Sequence, residues 1–324
     1  MLSVILPAYN EEKMIEKAAD TIHEILQGEH IPHELVFVND GSKDGTWQEI
    51  EKLSAKRDYV RGVSFSRNFG KESAMLAGLA NAEGDCCAVM DCDLQHPPQV
   101  LTEMYRKWQE GYQVIEGVKR TRGKESLAHK ASAGLFYRII SSAVKIDMTR
   151  ASDFKLLDRC AVEAILSMPE RNTFFRALSS WVGFKTCSVE FDVGERTEGQ
   201  SKWSTRSLVQ YAIKNIVAFS TVPMQCVTVA GVFVFLLAIV LGIQTLVRYL
   251  CGQAVEGFTT VILLILIIGS IIMVSLGIIG YYIAKIYEEV KGRPRYLIAA
   301  MAPARDKKHE KENEKGSFFP ASDC

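Results

Sequence analysis

The stretch Ala88-Val89-Met90-Asp91-Cys92-Asp93-Leu94-Gln95-His96-Pro97-Pro98 decides how this chain is read. A short apolar run ends in two carboxylates two residues apart. An amide follows, and a Pro pair then stops any strand. A strand that ends in Asp-x-Asp puts both carboxylates at the carboxyl edge of an open α/β sheet, where such sheets bind ligands. Two hard oxygen donors at that spacing suit Mg2+ or Mn2+, which keep waters and take further oxygens from substrate phosphates. Two surface aspartates in a turn are the competing reading, because Asp favours turns.

The segments on either side decide between these readings. Leu2 to Leu6 reads as a buried strand, broken by Pro7-Ala8-Tyr9-Asn10-Glu11-Glu12. Asn10 is placed to cap the helix that follows, which runs to about Gln27. Glu34 to Val38 is the next strand, closed by the turn-rich loop Asn39-Asp40-Gly41-Ser42-Lys43-Asp44-Gly45-Thr46. A helix to about Arg57, a strand Val60 to Phe65, a helix Gly70 to Ala80 and a strand Asp85 to Met90 complete the pattern. Strand and helix alternating at this spacing predict an α/β fold, with a mostly parallel sheet and helices on both faces. The loops that follow the strands then share one edge. No Gly-x-Gly-x-x-Gly follows the first strand and no Gly-x-x-x-x-Gly-Lys-[Ser/Thr] occurs, so phosphate charge must be met by metal and basic side chains.

Further on, Gln99 to Gln109 reads as a helix and Tyr112 to Val118 as a strand. Lys119-Arg120-Thr121-Arg122-Gly123-Lys124 is either a solvated loop or an anion clamp. Asn172 to Val182 reads as a helix with Phe174, Phe175, Leu178 and Trp181 facing the core, and Phe184 to Phe191 as a strand. Glu125 to Val144 and Ser204 to Ser220 read as basic amphipathic helices suited to a bilayer surface.

The chain has 324 residues with 38 basic and 38 acidic side chains. Zero net charge argues against a nucleic-acid scaffold and predicts no nucleic-acid partner. Val222 to Val247 and Gly257 to Ala284 contain no Asp, Glu, Lys or Arg. Each exceeds the ~20 apolar residues that cross a bilayer. Lys285, Lys291, Arg293 and Arg295 after the second run predict a multi-pass plasma-membrane protein with the catalytic domain and both termini cytoplasmic. The expected division is residues 1–203 as the catalytic domain, 204–221 as an interfacial helix, 222–290 as a membrane domain with spans near 222–248 and 257–286, and 291–324 as a largely disordered tail. Met1 to Pro7 is too short and lacks the basic lead of a signal peptide. Eight scattered cysteines with no Cys-x-x-Cys read as free thiols of a reducing compartment.

Four segments carry a resemblance. They are Ser3-Val4-Ile5-Leu6-Pro7-Ala8-Tyr9-Asn10-Glu11, Val38 to Thr46, Arg67-Asn68-Phe69-Gly70-Lys71 and Asp91 to Pro98. In this order they resemble the family 2 inverting glycosyltransferases. Over nearly its whole length the chain is similar to the polyprenyl-phosphate glycosyltransferases within them. The resemblance implies a GT-A fold followed by interfacial helices and two transmembrane helices. It implies a nucleotide-sugar donor, a polyprenyl-phosphate acceptor, a Mg2+ or Mn2+ cofactor and possible homo-oligomers, although no heptad supports the last.

Residue by residue, the resemblance places Pro7, Tyr9, Glu11, Asp40, Lys71 and Asp91 at the nucleotide, and Asp91, Asp93 and Gln95 on the metal. Asp40 as a turn former, and Tyr9 as packing, remain open. Arg122, Arg138, Ser142, Arg196 and Lys202 are expected on the diphosphate or the lipid phosphate. Arg196 and Lys202 belong to Arg-Thr-Glu-Gly-Gln-Ser-Lys-Trp, which matches the family's Arg-x-x-Gly-x-Ser-Lys-Trp loop. Asp153, in Asp-Phe-Lys-Leu-Leu-Asp-Arg, matches the family's candidate base, and Asp93 is its partner in the catalytic assignment. A phosphate monoester with a second pKa near ~6 is already mostly a dianion at neutral pH, so proton removal gains little. Asp153 is therefore expected chiefly to orient the sugar or a cationic partner. The favoured reading is transfer of a hexose, UDP-glucose being the expected donor, to undecaprenyl phosphate. A processive synthase is the first alternative, but no Gln-x-x-Arg-Trp occurs. A non-catalytic scaffold is the second, but the spans lack polar pathway residues beyond Gln225, Gln244 and hydroxyls.

Overall fold

The computed structural model describes residues 1–120, 152–168, 175–192, 222–251 and 257–303. It falls into two units, one of residues 1–141, 146–202 and 294–324 and one of 142–145 and 203–293.

The first unit is built on an eight-stranded sheet in the order β7-β5-β6-β4-β1-β2-β3-β8. Its strands are β1 (Leu2–Ala8), β2 (His33–Asn39), β3 (Val60–Phe65), β4 (Cys86–Val89), β5 (Val114–Lys119), β6 (Lys155–Asp158), β7 (Thr186–Phe191) and β8 (Ile298–Ala302). The first four pair in parallel, as the alternating pattern predicts. Beyond them the sheet is mixed. β6 runs antiparallel between β4 and β5, and β8 runs antiparallel along the β3 edge. Neither strand was anticipated: each is only four or five residues long, and each pairs antiparallel with a strand distant in sequence.

Helices cover both faces. On one side lie α1 (Ile15–Gly28), α2 (Thr46–Lys56) and α4 (Gln99–Gln109). On the other lie α3 (Lys71–Asn81), α5 (Arg159–Ser167) and α6 (Phe175–Trp181). In α1 the buried residues are Ile15, Ala18, Ala19, Ile22 and Leu26, the spacing of one helical stripe. β1 feeds both layers by strand alternation: Leu2, Val4, Leu6 and Ala8 pack on one face and Ile5 on the other. All four residues of β4 are buried, as expected of a central parallel strand.

Two local expectations are corrected. Asn10 does not cap α1, which begins after Met14 with no side-chain cap. Asn10 has φ 58° and accepts a hydrogen bond from the Lys43 N–H, so it joins two loops instead. Trp181 is 63% exposed, whereas Phe175 and Leu178 are buried. Seven helical residues present one short buried face, and Trp181 falls outside it.

The second unit contributes α7 (Val222–Leu250) and α8 (Phe258–Val290), both long and apolar enough to cross a membrane. Phe233, Phe235, Met273 and Val274 are exposed on them, so these helices are not the core of a soluble domain. The predicted interfacial helices, 125–144 and 204–220, lie outside the described residues. The predicted disordered tail is corrected in its described part, 291–303, because backbone pairing with β3 orders Ile298–Ala302 as β8.

Candidate active site

The Asp-x-Asp stretch lies where the strand order reverses. β1 continues to β2 and β3 on one side and meets β4 on the other, so the carboxyl ends of β1 and β4 flank a crevice. The Met90 N–H still donates to the Ile5 carbonyl, and Asp91 is the first residue beyond that pairing. The chain then turns sharply, with Leu94 at φ 56°. The Gln95 backbone N–H and side-chain amide donate to the two oxygens of Asp93, at 3.1 and 2.6 Å, so Gln95 fixes how Asp93 points. Cys92 is buried, with its thiol toward the Pro7 carbonyl and away from the crevice.

β6 brings the second half of the site. Because it is antiparallel to β4 with Lys155 opposite Val89, its leading residues Asp153 and Phe154 arrive beside Asp91. Asp153 takes a two-pronged ion pair from Arg176 of α6, with Nε to Oδ1 at 2.6 Å and an Nη to Oδ2 at 2.8 Å. Lys71, the first residue of α3, reaches both carboxylates. Its Nζ lies 2.5 Å from Asp91 Oδ1 and 3.4 Å from Asp153 Oδ2. Burial opposes the charge on Asp153, but Arg176 and Lys71 outweigh it and hold the carboxyl well below the usual carboxylate range. Burial likewise opposes the charge on Lys71, and Asp91 and Asp153 keep the ammonium charged.

A supporting layer fixes these groups. Lys155 is 0% exposed and lies 2.6 Å from both Glu116, its cross-strand neighbour, and the Ser179 hydroxyl of α6. Burial lowers its pKa, and Glu116 opposes that shift. Glu72 accepts from the Phe175 N–H at 2.9 Å, tying α3 to the start of α6. Burial, helped by the Asp153 charge, pushes Glu72 up to about 7. His96 is 5% exposed and packs on Phe154 and Phe191, so the Asp-x-Asp loop is pinned to both β6 and β7.

On the β1 side, Asp40 is 4% exposed and accepts from the N–H groups of Phe69 and Gly70. Burial raises its pKa, and those N–H groups only partly offset the shift. Here Asp40 holds the Arg67–Gly70 loop in place. Gly41 has φ 63°, and a Cβ on it would come within 2.3 Å of the Arg67 backbone, so this packed loop pair requires glycine. Tyr9 is 42% exposed, while Pro7 and Glu11 are half-buried.

The oxygen donors fit a hard divalent cation. Asp91 and Asp93 are carboxylates at a sheet rim, Gln95 orients one of them, and Asp91 already carries a cationic ammonium. Among the described residues no group of three or more His, Cys, Asp or Glu assembles. Two carboxylates leave room for an ion that draws its other oxygens from substrate.

The profile of glycosyl transferase family 2 matches residues 3–166, the span that holds β1 to β6 and the Asp-x-Asp rim. The chain belongs to glycosyl transferase family 2. CsbB of Bacillus subtilis is 40% identical over 310 residues, 94% of each chain. The prophage bactoprenol glucosyl transferase homolog of Escherichia coli K12 is 37% identical, covering 92% of this chain and 98% of that one. The SfII prophage-derived bactoprenol glucosyl transferase of Shigella flexneri is 36% identical, with 92% and 97% covered. Glucosyl-3-phosphoglycerate synthase of Mycobacterium tuberculosis, solved with UDP, aligns at TM-score 0.46 and 22% identity over 68% of this chain and 78% of its own.

Of the glycosyltransferase's expected site residues, Asp91, Asp93, Gln95, Lys71 and Asp153 come together at one rim. Arg122, Arg138, Ser142, Arg196 and Lys202 lie outside the described residues. Arg176, Lys155 and Glu72 are the residues that sequence reasoning missed. Arg176 lies on a helix that the sequence marks by its aromatics, and its segment fails only the processive-synthase motif. Lys155 read as one more motif cation, and no pattern marks it as buried.

Proposed function

We propose that this glycosyltransferase moves glucose from UDP-glucose to a polyprenyl phosphate, undecaprenyl phosphate in the cell, at the cytoplasmic membrane face and with inversion. The observation that carries this reading is the convergence of Asp91, Asp93, Lys71, Asp153 and Arg176 at the carboxyl edge between β1 and β4. The names of the bactoprenol glucosyl transferases that share over nine-tenths of this chain support the acceptor and the sugar. The two membrane-length helices support a lipid acceptor.

Asp91 and Asp93, with Gln95, would hold a Mg2+ or Mn2+ ion. When bound, that ion would supply charge neutralisation for the departing nucleoside diphosphate. The chain's own cations act alongside it: Lys71 is the ammonium shared by Asp91 and Asp153 at the rim, and Arg176 is fixed by two bonds to Asp153. The acceptor phosphate is mostly a dianion at neutral pH and needs no strong base. Asp153, doubly paired and held ionised, therefore acts as an orienting anchor for Lys71 and Arg176. Its expected role as a base is secondary, as the phosphate chemistry already argues. Pro7, Tyr9 and Glu11 border the base and ribose, and Asp40 keeps the adjoining loop in register. Arg122, Arg138, Ser142, Arg196 and Lys202 are proposed phosphate contacts on the strength of the family resemblance. Positioning of donor and acceptor supplies much of the barrier reduction.

The test is incubation of the purified full chain with undecaprenyl phosphate and a panel of nucleotide sugars, followed by mass spectrometry of the lipid. Appearance of a hexosyl-phosphoryl lipid with UDP-glucose supports the reading. Label in long polymer favours a processive synthase, and binding without turnover favours a scaffold.

A further inference from the structure

Lys71 occupies the position of a cation on Asp91. The ammonium lies 2.5 Å from the carboxylate that the family pattern assigns to a metal, and only 3.4 Å from Asp153. The two carboxylates are not equally dependent on it. Asp153 keeps a two-pronged guanidinium from Arg176 whether or not Lys71 is present. Asp91 has Lys71 as its ion-pair partner, is 34% exposed, and could exchange that partner for another cation. Lys71 is also built to leave. Its backbone is anchored as the first residue of α3, after Gly70 at φ 97°, while its side chain is 42% exposed. An ammonium is a compact charge on a flexible four-carbon stem, so it can swing away from Asp91 while its backbone stays in place. An ion with twice the charge competes well for the same oxygen.

We propose that Lys71 is an internal counter-ion that a divalent cation displaces from Asp91, and that the freed ammonium then meets the donor's diphosphate. Ion and nucleotide thereby bind cooperatively through one side chain. The second half of this inference rests on the nucleotide-sugar reading above, and the first half rests on the geometry alone. By linkage, whatever the nucleotide adds to ion affinity the ion adds to nucleotide affinity.

The experiment titrates the full chain in detergent with Mn2+, following free ion by electron paramagnetic resonance, with and without UDP. Wild type should bind Mn2+ alone weakly and about tenfold tighter with UDP, within the ordinary range of coupling. Lys71→Met should bind Mn2+ alone about five- to tenfold tighter than wild type and gain little from UDP. Lys119→Met is the control, because Lys119, like Lys71, is a cation close enough for its charge to act on His96 of the Asp-x-Asp loop. It should change the Mn2+-only affinity by less than about twofold. Equal or weaker Mn2+ binding by Lys71→Met, or equal tightening by Lys119→Met, overturns the proposal. A second measurement needs no variant. Acetic anhydride labelling of wild type, read by mass spectrometry, should modify Lys71 faster with Mn2+ alone and slower again when UDP is added. Indifference of Lys71 labelling to Mn2+ overturns the proposal. Mn2+ binding without any UDP binding overturns the nucleotide reading and the cooperative half with it, and the Lys71→Met result with Mn2+ alone still decides the counter-ion half. If no protein binds Mn2+, the cation site and the proposal fall together.

Discussion

The segment that follows β4 and the segment that leads into β6 meet at Lys71, yet their aspartates are balanced in opposite ways. Asp91 is part-exposed and, among the described residues, carries a single ammonium. Asp153 is more buried and carries both a guanidinium and that same ammonium. A part-exposed carboxylate with one mobile partner can take up a cation. A carboxylate gripped by two cations sets their positions and is a poor proton acceptor. The same residue type therefore serves recruitment in one segment and scaffolding in the other, and the number of cations paired with each among the described residues makes the difference.

The largest effect is expected at Asp91. Asp91→Asn should lower glycosyl transfer by about 100-fold or more. Its melting temperature should stay close to wild type, because the group is part-exposed; a large loss of stability with activity retained would break the comparison. Lys155→Met comes next. It strands the Glu116 carboxylate beside the sheet and should cost about 3 kcal/mol. For a unit of this size that is an apparent melting shift of about 6–12 °C by differential scanning fluorimetry. Adding Glu116→Gln should recover part of the loss, since the unpaired charge is then gone.

Asp153→Asn should reduce kcat about tenfold, by the same factor at pH 6 and pH 8. Asp153 is held ionised far into acid, so its titration lies outside that window. The stability its pairs provide is present above the unfolded pKa and lost only as pH falls through the depressed folded value. Recovery of activity at pH 8 would show Asp153 to be a base. The smallest effect on activity belongs to Glu72, whose carboxyl is raised to about 7. Folded protein then holds its proton where unfolded chain does not, so stability should decline as pH rises from about 4.5 to about 7. Glu72→Gln should flatten that slope in a melting series.

The first four strands and the helices between them were legible because alternation of apolar runs with turn formers is local information. β3 and α4 have the bounds that the sequence predicts, Val60–Phe65 and Gln99–Gln109. Asp-x-Asp could be placed at a rim because the Pro pair after it forbids any continuation of β4. Legibility failed at β6 and β8, whereas β7 and α6 fall within the stretches read as strand and helix. β6 is a four-residue strand whose partner is fixed by contact with β4, and Asn10 was misread because its partner, Lys43, sits in another loop.

By itself the sequence determined the half-sheet, the carboxylate pair on its edge and two helices fit for a bilayer, since periodicity and turn chemistry act over a few residues. Only the tertiary structure decided that Asp153 stands beside Asp91, that Lys71 bridges them and that Arg176 holds one but not the other. Those pairings span 82 and 23 residues of chain. Charge acts through space, and the antiparallel entry of β6 is what brings these charges within reach of one another.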